Sequence, residues 1–374
     1  MVSVKKSKKG SSKLVSKSRV KSSGRLKKVN GKNNSGKKNS EKKNQKSNNH
    51  KSKRQLKLGL ALGAGAARGL VHIGILKVLH RNKIYPDLIA GTSMGAVMGS
   101  LYAAGHTPLE IERIAKGADL KTIIDFTIPK SGILQGRLIE KYLRGNLDSK
   151  TFKELDIPLR VVSYNFTKKE KAVFCEGDVA RAVRASISIP GIFNPTQIGK
   201  CNYIDGVLAD PTPFDVVRDM GADIIIAVDL YSKQKVGRSV KVQSHTLYDD
   251  IKKKFISEEL FNLKNYLFPQ RWPRLLRKFL IWIFDKILYP AKILRIVTKR
   301  ELPEITKVMN ESLSIVTNNF ARERMNHSDV DFKITPAFNG LDWTDFNKVD
   351  QFVKKGEKAM LKELPRLKKR LGIR

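Results

Sequence analysis

The chain has 374 residues, 41% of them apolar, which suffices for one large α/β domain or two modest ones. Its formal charge of +38 points to an anionic partner, a membrane surface or nucleic acid, and charge does not choose between them. Two cysteines, Cys175 and Cys201, argue against a disulfide framework and read as packed core thiols in a reducing compartment.

The charge is uneven. From Met1 to Gln55, 20 Lys or Arg accompany the single acid Glu41, so half the net charge lies in about a seventh of the chain. The remainder of this stretch is largely Ser, Asn and Gly without an aromatic residue, too little apolar surface to offset the entropy of ordering. Residues 1–54 therefore read as a disordered basic tail, either a solubilising arm or a tether to anionic lipid or nucleic acid. Without aromatics for base stacking, nucleic acid has no support beyond charge. No apolar run longer than a pair occurs there, so a standard secretory signal is not expected.

Folded structure is expected from Leu56. The run from Leu56 to Gly63, LKLGLALG, alternates and then becomes wholly apolar, as a strand buried on both faces does. Gly63-Ala64-Gly65-Ala66-Ala67-Arg68-Gly69 follows, then Val71, Ile75, Val78 and Leu79 at helical spacing. Such a turn presents unpaired amides at a helix start, where an oxyanion or phosphate is favoured. Alone it also approximates a dinucleotide fingerprint or a plain tight connection. Asp87 to Ala90 reads as a second strand running into Gly91-Thr92-Ser93-Met94-Gly95, after which Met94, Val97, Met98 and Leu101 mark a helix. Strand, G-x-S-x-G and helix are what a nucleophile elbow requires: the glycines permit a sharp bend that exposes Ser93, and the Met94 amide faces the same oxygen.

At this point the block from Gly59 to Gly105 resembles the N-terminal half of a patatin-like phospholipase domain. Ala185 to Phe193, ASISIPGIF, is similar to that family's S-x-S-I-P block. Tyr203-Ile204-Asp205-Gly206-Val207 stands at the place of its D-G-G or D-G-A motif, and Gly221 to Asp229 looks like its next core strand. The resemblance covers roughly Leu56 to Leu230. It implies a three-layer α/β/α catalytic core over residues 55–235 with a mainly parallel sheet, acting on a phospholipid or other lipid ester without metal or organic cofactor. It further implies a Ser–Asp dyad with no histidine, in which Ser93 attacks the ester carbonyl and Asp205 accepts its proton. A free aspartate, pKa about 3.9, is a poor base at neutral pH, so Asp205 has to gain strength from burial. The amides of Gly63, Ala64, Gly65 and Ala66 become oxyanion-hole candidates. Met94 supports them, and Arg68 either steadies the loop or attracts an anionic head group. Two positions depart from the family pattern: Ala64 replaces a glycine, which strains the turn if its φ is positive, and bulky Val207 narrows the space beside the base.

Two rival readings remain. An ordinary α/β-hydrolase with a Ser, Asp, His order needs a histidine after the serine, and only His245 and His327 qualify, both in surface-like surroundings. His72 and His80 fall on the first helix and His106 after the elbow helix, where core, surface or capping roles suffice. A non-enzymatic membrane or nucleic-acid adaptor on a hydrolase fold is the other, weighed against by the presence of both Ser93 and Asp205. No His, Cys or carboxylate pair has a recognised metal spacing.

Residues 236–300 read as a basic amphipathic insertion. From Arg271 to Arg300 there are nine Lys or Arg and one acid, Asp285, among Leu275, Phe279, Trp282 and Ile283. The run Phe279 to Phe284 is far short of the ~20 residues a spanning helix needs. An interfacial helix ended by Pro290, with Trp282 at the lipid boundary, fits an anionic membrane surface; a core-facing helix is the alternative. A cytoplasmic enzyme peripheral to a membrane is expected. Residues 301–374 should complete the domain with a helix over Leu302 to Asn326, a strand over Asp329 to Thr335 and a closing helix broken near Pro365. The particular lipid and the oligomeric state are left open.

Overall fold

The computed structural model describes residues 56–118, 125, 132–231 and 304–373, with 273, 274, 276–278, 280 and 281 in the intervening stretch. The basic tail 1–54 and most of the insertion 236–300, including His245, Phe279, Trp282 and Pro290, lie outside the described residues.

The strands in chain order are β1 (Leu58–Leu62), β2 (Leu88–Thr92), β3 (Gly132–Leu134), β4 (Leu159–Asn165), β5 (Glu170–Phe174), β6 (Gly191–Phe193), β7 (Thr196–Ile198), β8 (Cys201–Asp205), β9 (Ile224–Val228) and β10 (Phe332–Ile334). The helices are α1 (Val71–Arg81), α2 (Met94–Ala103), α3 (Pro108–Gly117), α4 (Arg137–Asn146), α5 (Val179–Ser186), α6 (Phe214–Asp219), α7 (Glu304–Asn326) and α8 (Val349–Leu371).

β1, β2 and β9 are buried at every position. That is the consequence of helices on both faces of a parallel sheet. The order β10-β9-β1-β2-β4 is parallel throughout, and β5, β8 and β7 extend it in antiparallel fashion. Alternate residues of each strand serve different cores. Leu60, Leu62, Ile89, Val161 and Ile226 pack with α1, α2, α5 and α8. Ala61, Ala90, Val162, Ile225 and Ala227 pack with Phe214, Val216 and Val217 of α6 and Met325 of α7. The small residues sit on the α6 side, so the two faces of the sheet carry unequal layers, and the architecture is α/β/α as expected.

One register detail decides where the chemistry can occur. β5 occupies one edge of β4, pairing Val161 through Asn165. The other edge is shared: β2 pairs in parallel as far as Thr92 opposite Val162, and β8 pairs antiparallel ending with Asp205 opposite Ser163. Two strands approaching from opposite directions therefore end on neighbouring residues of β4.

α8 crosses α1 at glycines on both helices. A Cβ on Gly74 would lie 2.0 Å from the Val353 carbonyl oxygen, and one on Gly356 would lie 2.0 Å from that of Val71. Only hydrogen on each Cα allows the backbones this close. α8 runs unbroken through Pro365, contrary to the expected break. Pro365 and Leu361 are both on the solvent face, where water can satisfy the carbonyl that proline leaves unpaired. The cysteines are not core thiols either: Cys175 is exposed just past the edge strand β5, and Cys201 is half-buried at the start of β8.

Candidate active site

Ser93 sits between β2 and α2 at φ 53°, ψ −122°. This is a conformation that costs a non-glycine residue of order 1–3 kcal/mol and persists only where its surroundings over-determine it. The restraint is visible. A Cβ on Gly91 would meet the Gly95 carbonyl at 2.5 Å, and one on Gly95 would meet that of Leu62 at 2.1 Å, so the bend tolerates no side chain on either side. The Ser93 amide donates to Ser186 Oγ at 2.8 Å, and Ser186 in turn donates to the Val162 carbonyl at 2.5 Å. Thr92 Oγ1 donates to the Asp210 carbonyl at 2.7 Å.

Asp205 ends β8 and is 1% exposed. Its Oδ2 accepts from Ser93 Oγ at 2.7 Å and its Oδ1 from the Val207 amide at 2.8 Å. Its own amide donates to the Ser188 carbonyl at 2.9 Å. Burial pushes the carboxyl up to about 7, against the two hydrogen bonds, which favour the charged form. A group that would be a weak base in water is thereby poised near neutrality.

The two serines of Ser186-Ile187-Ser188 thus hold the backbones of Ser93 and Asp205 respectively. Ser188 is itself fixed: its Oγ accepts from Arg184 Nη1 at 2.6 Å. Arg184, 2% exposed, also donates to the carbonyls of Gly136, Gln135 and Asn194.

The glycine-rich turn narrows the expected oxyanion donors. The Gly63 amide is bonded to the Val228 carbonyl at 3.1 Å and the Ala64 amide to that of Pro211 at 2.9 Å, so neither is available to a ligand. The amides of Gly65, Ala66 and Met94 have no partner among the described residues. The strain anticipated at Ala64 is found instead at Ala66, with φ 47°. The Gly63 carbonyl lies 2.8 Å from His72 Nε2. Burial pushes His72 down to about 4, more than the bond to Gly63 raises it, so the ring is neutral at physiological pH and donates from Nε2.

Other residues converge from the C-terminal part. The Trp343 carbonyl accepts from the Ala67 amide at 2.9 Å. Arg68 lies over the Phe338 ring at 5.4 Å; burial lowers its pKa, with Asp342 and Tyr231 opposing. Tyr231 is within electrostatic reach of both Asp205 and Arg68, and burial first, then the Asp205 charge, raises its pKa well above the usual tyrosine value. His72, Ser186, Ser188 and Tyr231 had no signal of their own as site residues. The spacing of the two serines inside a block placed between elbow and aspartate was the one available hint.

His327 is exposed and faces Glu323 Oε1 at 3.0 Å on the surface of α7, and no histidine stands between Ser93 and Asp205, which bond directly. No helix among the described residues is long and apolar enough to cross a membrane.

Residues 60–218 match the family described as patatin-like phospholipase. Over 177 residues the chain is 35% identical to an NTE family protein of Mycobacterium tuberculosis, covering 46% of this chain and 49% of that one. Over 190 residues it is 32% identical to patatin-like phospholipase domain-containing protein 6 of Homo sapiens, covering 49% of this chain and 14% of that one. The chain thus spans about half the length of the mycobacterial relative and a much smaller part of the human one. Among solved structures, VipD from Legionella pneumophila aligns with a TM-score of 0.46 at 14% identity, covering 83% of this chain and 67% of that chain.

Proposed function

We propose that this chain, which belongs to the patatin-like phospholipase family through residues 60–218, hydrolyses carboxylic esters of lipids by way of an acyl-Ser93 intermediate. The observation that carries the reading is the 2.7 Å hydrogen bond from Ser93 Oγ to Asp205 Oδ2 at a strained elbow, with no third group interposed.

In this mechanism Asp205 accepts the hydroxyl proton as Ser93 Oγ attacks the ester carbonyl, and negative charge develops on the carbonyl oxygen. The amides of Gly65, Ala66 and Met94 are the donors left to receive it, each worth roughly 3 kcal/mol when well aimed. Collapse of the tetrahedral species expels the alcohol, which takes the proton back from Asp205. Water then attacks the acyl-serine, Asp205 accepts its proton, and the acid departs as Ser93 regains its hydrogen. Asp205 cycles between charged and neutral forms at little cost because its pKa is near the working pH. Half-buried Ile189, Ile192 and Phe193, directly after Ser188, supply apolar surface suited to an acyl chain. The anionic membrane partner inferred from charge also belongs to this proposal.

The test is hydrolysis of a medium-chain p-nitrophenyl ester by the purified chain beside Ser93→Ala and Asp205→Asn, with fluorophosphonate labelling mapped by peptide mass. Both variants should be inactive and only Ser93 labelled in the parent. Activity that survives Ser93→Ala, or a label elsewhere, refutes the dyad.

A further inference from the structure

Directly after Asp205, the chain passes through Gly206–Leu208 to a segment that touches every part of the site. The Asp210 amide donates to the Gly206 carbonyl at 2.8 Å, closing the turn that follows the base. The Asp210 carbonyl holds Thr92, next to the nucleophile, at 2.7 Å. The Pro211 carbonyl holds the Ala64 amide of the glycine-rich turn at 2.9 Å. The elbow and the glycine-rich turn thus hang on two consecutive carbonyls, and the turn after the base on the Asp210 amide.

What holds those carbonyls in place is a cluster of charge. The Asp210 carboxylate is fully buried. Its Oδ1 is 3.1 Å from Arg324 Nη2 and its Oδ2 is 3.3 Å from Lys171 Nζ. The same two cations reach Asp215, Arg324 Nη2 at 3.2 Å and Lys171 Nζ at 2.9 Å, so two acids and two cations form a closed cluster. Arg324 comes from α7, outside the stretch that matches the family, and is gripped between the rings of Phe214 at 5.2 Å and Phe320 at 5.7 Å. Its Nη2 meets Asp210 at ion-pair distance without hydrogen-bond alignment, so it acts here as a placed charge.

A buried carboxylate stripped of one of two cations is expensive, and it answers by taking up a proton or by moving. Movement of Asp210 displaces its own carbonyl and that of Pro211. The structure assigns Arg324 a role as positioning residue for the Ser93–Asp205 dyad: its charge keeps Asp210 seated, and through Asp210 and Pro211 it sets the elbow and the glycine-rich turn. Burial first, then the hydrogen bond and charge of Asp215, push Asp210 up to about 8, while Arg324 and Lys171 oppose that rise, so Asp210 is ionised above about pH 8 and depends there on its cations. The inference rests on the acyl-hydrolase reading for its kinetic consequence, not for its structural one.

Two measurements separate the two. The first is kcat and KM with p-nitrophenyl butyrate at pH 9, where Asp210 is ionised, for the parent, Arg324→Met, Arg324→Lys, the double variant Asp210→Asn/Arg324→Met, and Lys358→Gln on the exposed face of α8 as control. Arg324→Met should lower kcat about tenfold or more with KM within about twofold. Arg324→Lys should recover most of the loss, and the double variant should exceed Arg324→Met because the stranded charge is gone. Lys358→Gln should match the parent. The second is hydrogen exchange of the Ala64 amide, which should quicken about tenfold in Arg324→Met while β1 and β2 amides stay protected. An Arg324→Met protein with parental kcat and parental Ala64 exchange overturns the inference, as does a loss of kcat accounted for wholly by unfolded protein in urea titration. Should the parent hydrolyse no ester, the acyl-hydrolase reading falls, and the exchange measurement still decides the positioning role.

Discussion

Replacing Asp205 by asparagine should abolish activity and yet stabilise the protein, by an amount that depends on pH. The carboxyl is buried with two hydrogen-bond donors, Ser93 Oγ and the Val207 amide, and still has its pKa pushed up from 3.8 to about 7. The folded state therefore binds this proton more tightly than the unfolded state does. The group's stabilising contribution is complete below about pH 4, is lost as pH rises through 7, and above 7 the buried charge stands as a cost. The interval from 3.8 to about 7, at about 1.4 kcal/mol per pH unit, amounts to about 4 kcal/mol. Asparagine keeps the shape and an oxygen for the Val207 amide but carries no charge, so Asp205→Asn should be more stable than the parent by up to about 4 kcal/mol at pH 8 and by only about 1 kcal/mol at pH 4.5. Asp210 titrates in both proteins, so the difference between them isolates Asp205. Urea denaturation of both proteins at several pH values between 4.5 and 8.5 reads this directly. A difference that does not change with pH, or an asparagine variant less stable at pH 8, would show that the surroundings stabilise the ionised carboxylate and that its poise near neutrality is wrong.

The same poise predicts that kcat/KM for a soluble ester rises with pH on a single limb centred near 7, as Asp205 becomes the ionised base; a limb near 4 would refute it. His72→Phe should strand the buried Gly63 carbonyl, cost about 1–3 kcal/mol in urea titration and lower kcat through the glycine-rich turn. Ser186→Ala removes the acceptor of the Ser93 amide and should lower kcat while the fluorophosphonate reaction at Ser93 slows in parallel. Gly356→Ala should cost about 1–3 kcal/mol by forcing α8 from α1, whereas Gly145→Ala, with open space around it, should gain up to about 1 kcal/mol; both are read as urea midpoints.

What could be read from residues alone was local. The apolar run of β1, the glycines around Ser93 and the helical spacing after each turn follow from pleat, helical period and steric freedom, all of which act over a few residues. They identify Ser93 as the serine of an elbow, though not its burial: packed against β8 and α5, it is 5% exposed rather than open to solvent. Asp205 was reached only through the resemblance, because one aspartate among many has no local mark. The tertiary structure decided the rest. It brings the ends of β2 and β8 to adjacent residues of β4, which is why Ser93 and Asp205 meet across a separation of 112 residues. It commits the Gly63 and Ala64 amides to Val228 and Pro211, leaving those of Gly65 and Ala66. It gives His72, Ser186 and Ser188 backbone groups to hold, and it delivers Arg324 and the Trp343 carbonyl from beyond the matched stretch. Polar side chains acquire a role only when a partner distant in sequence is placed beside them, and the hydrophobic pattern that builds the layers carries no information about which of them will be so placed.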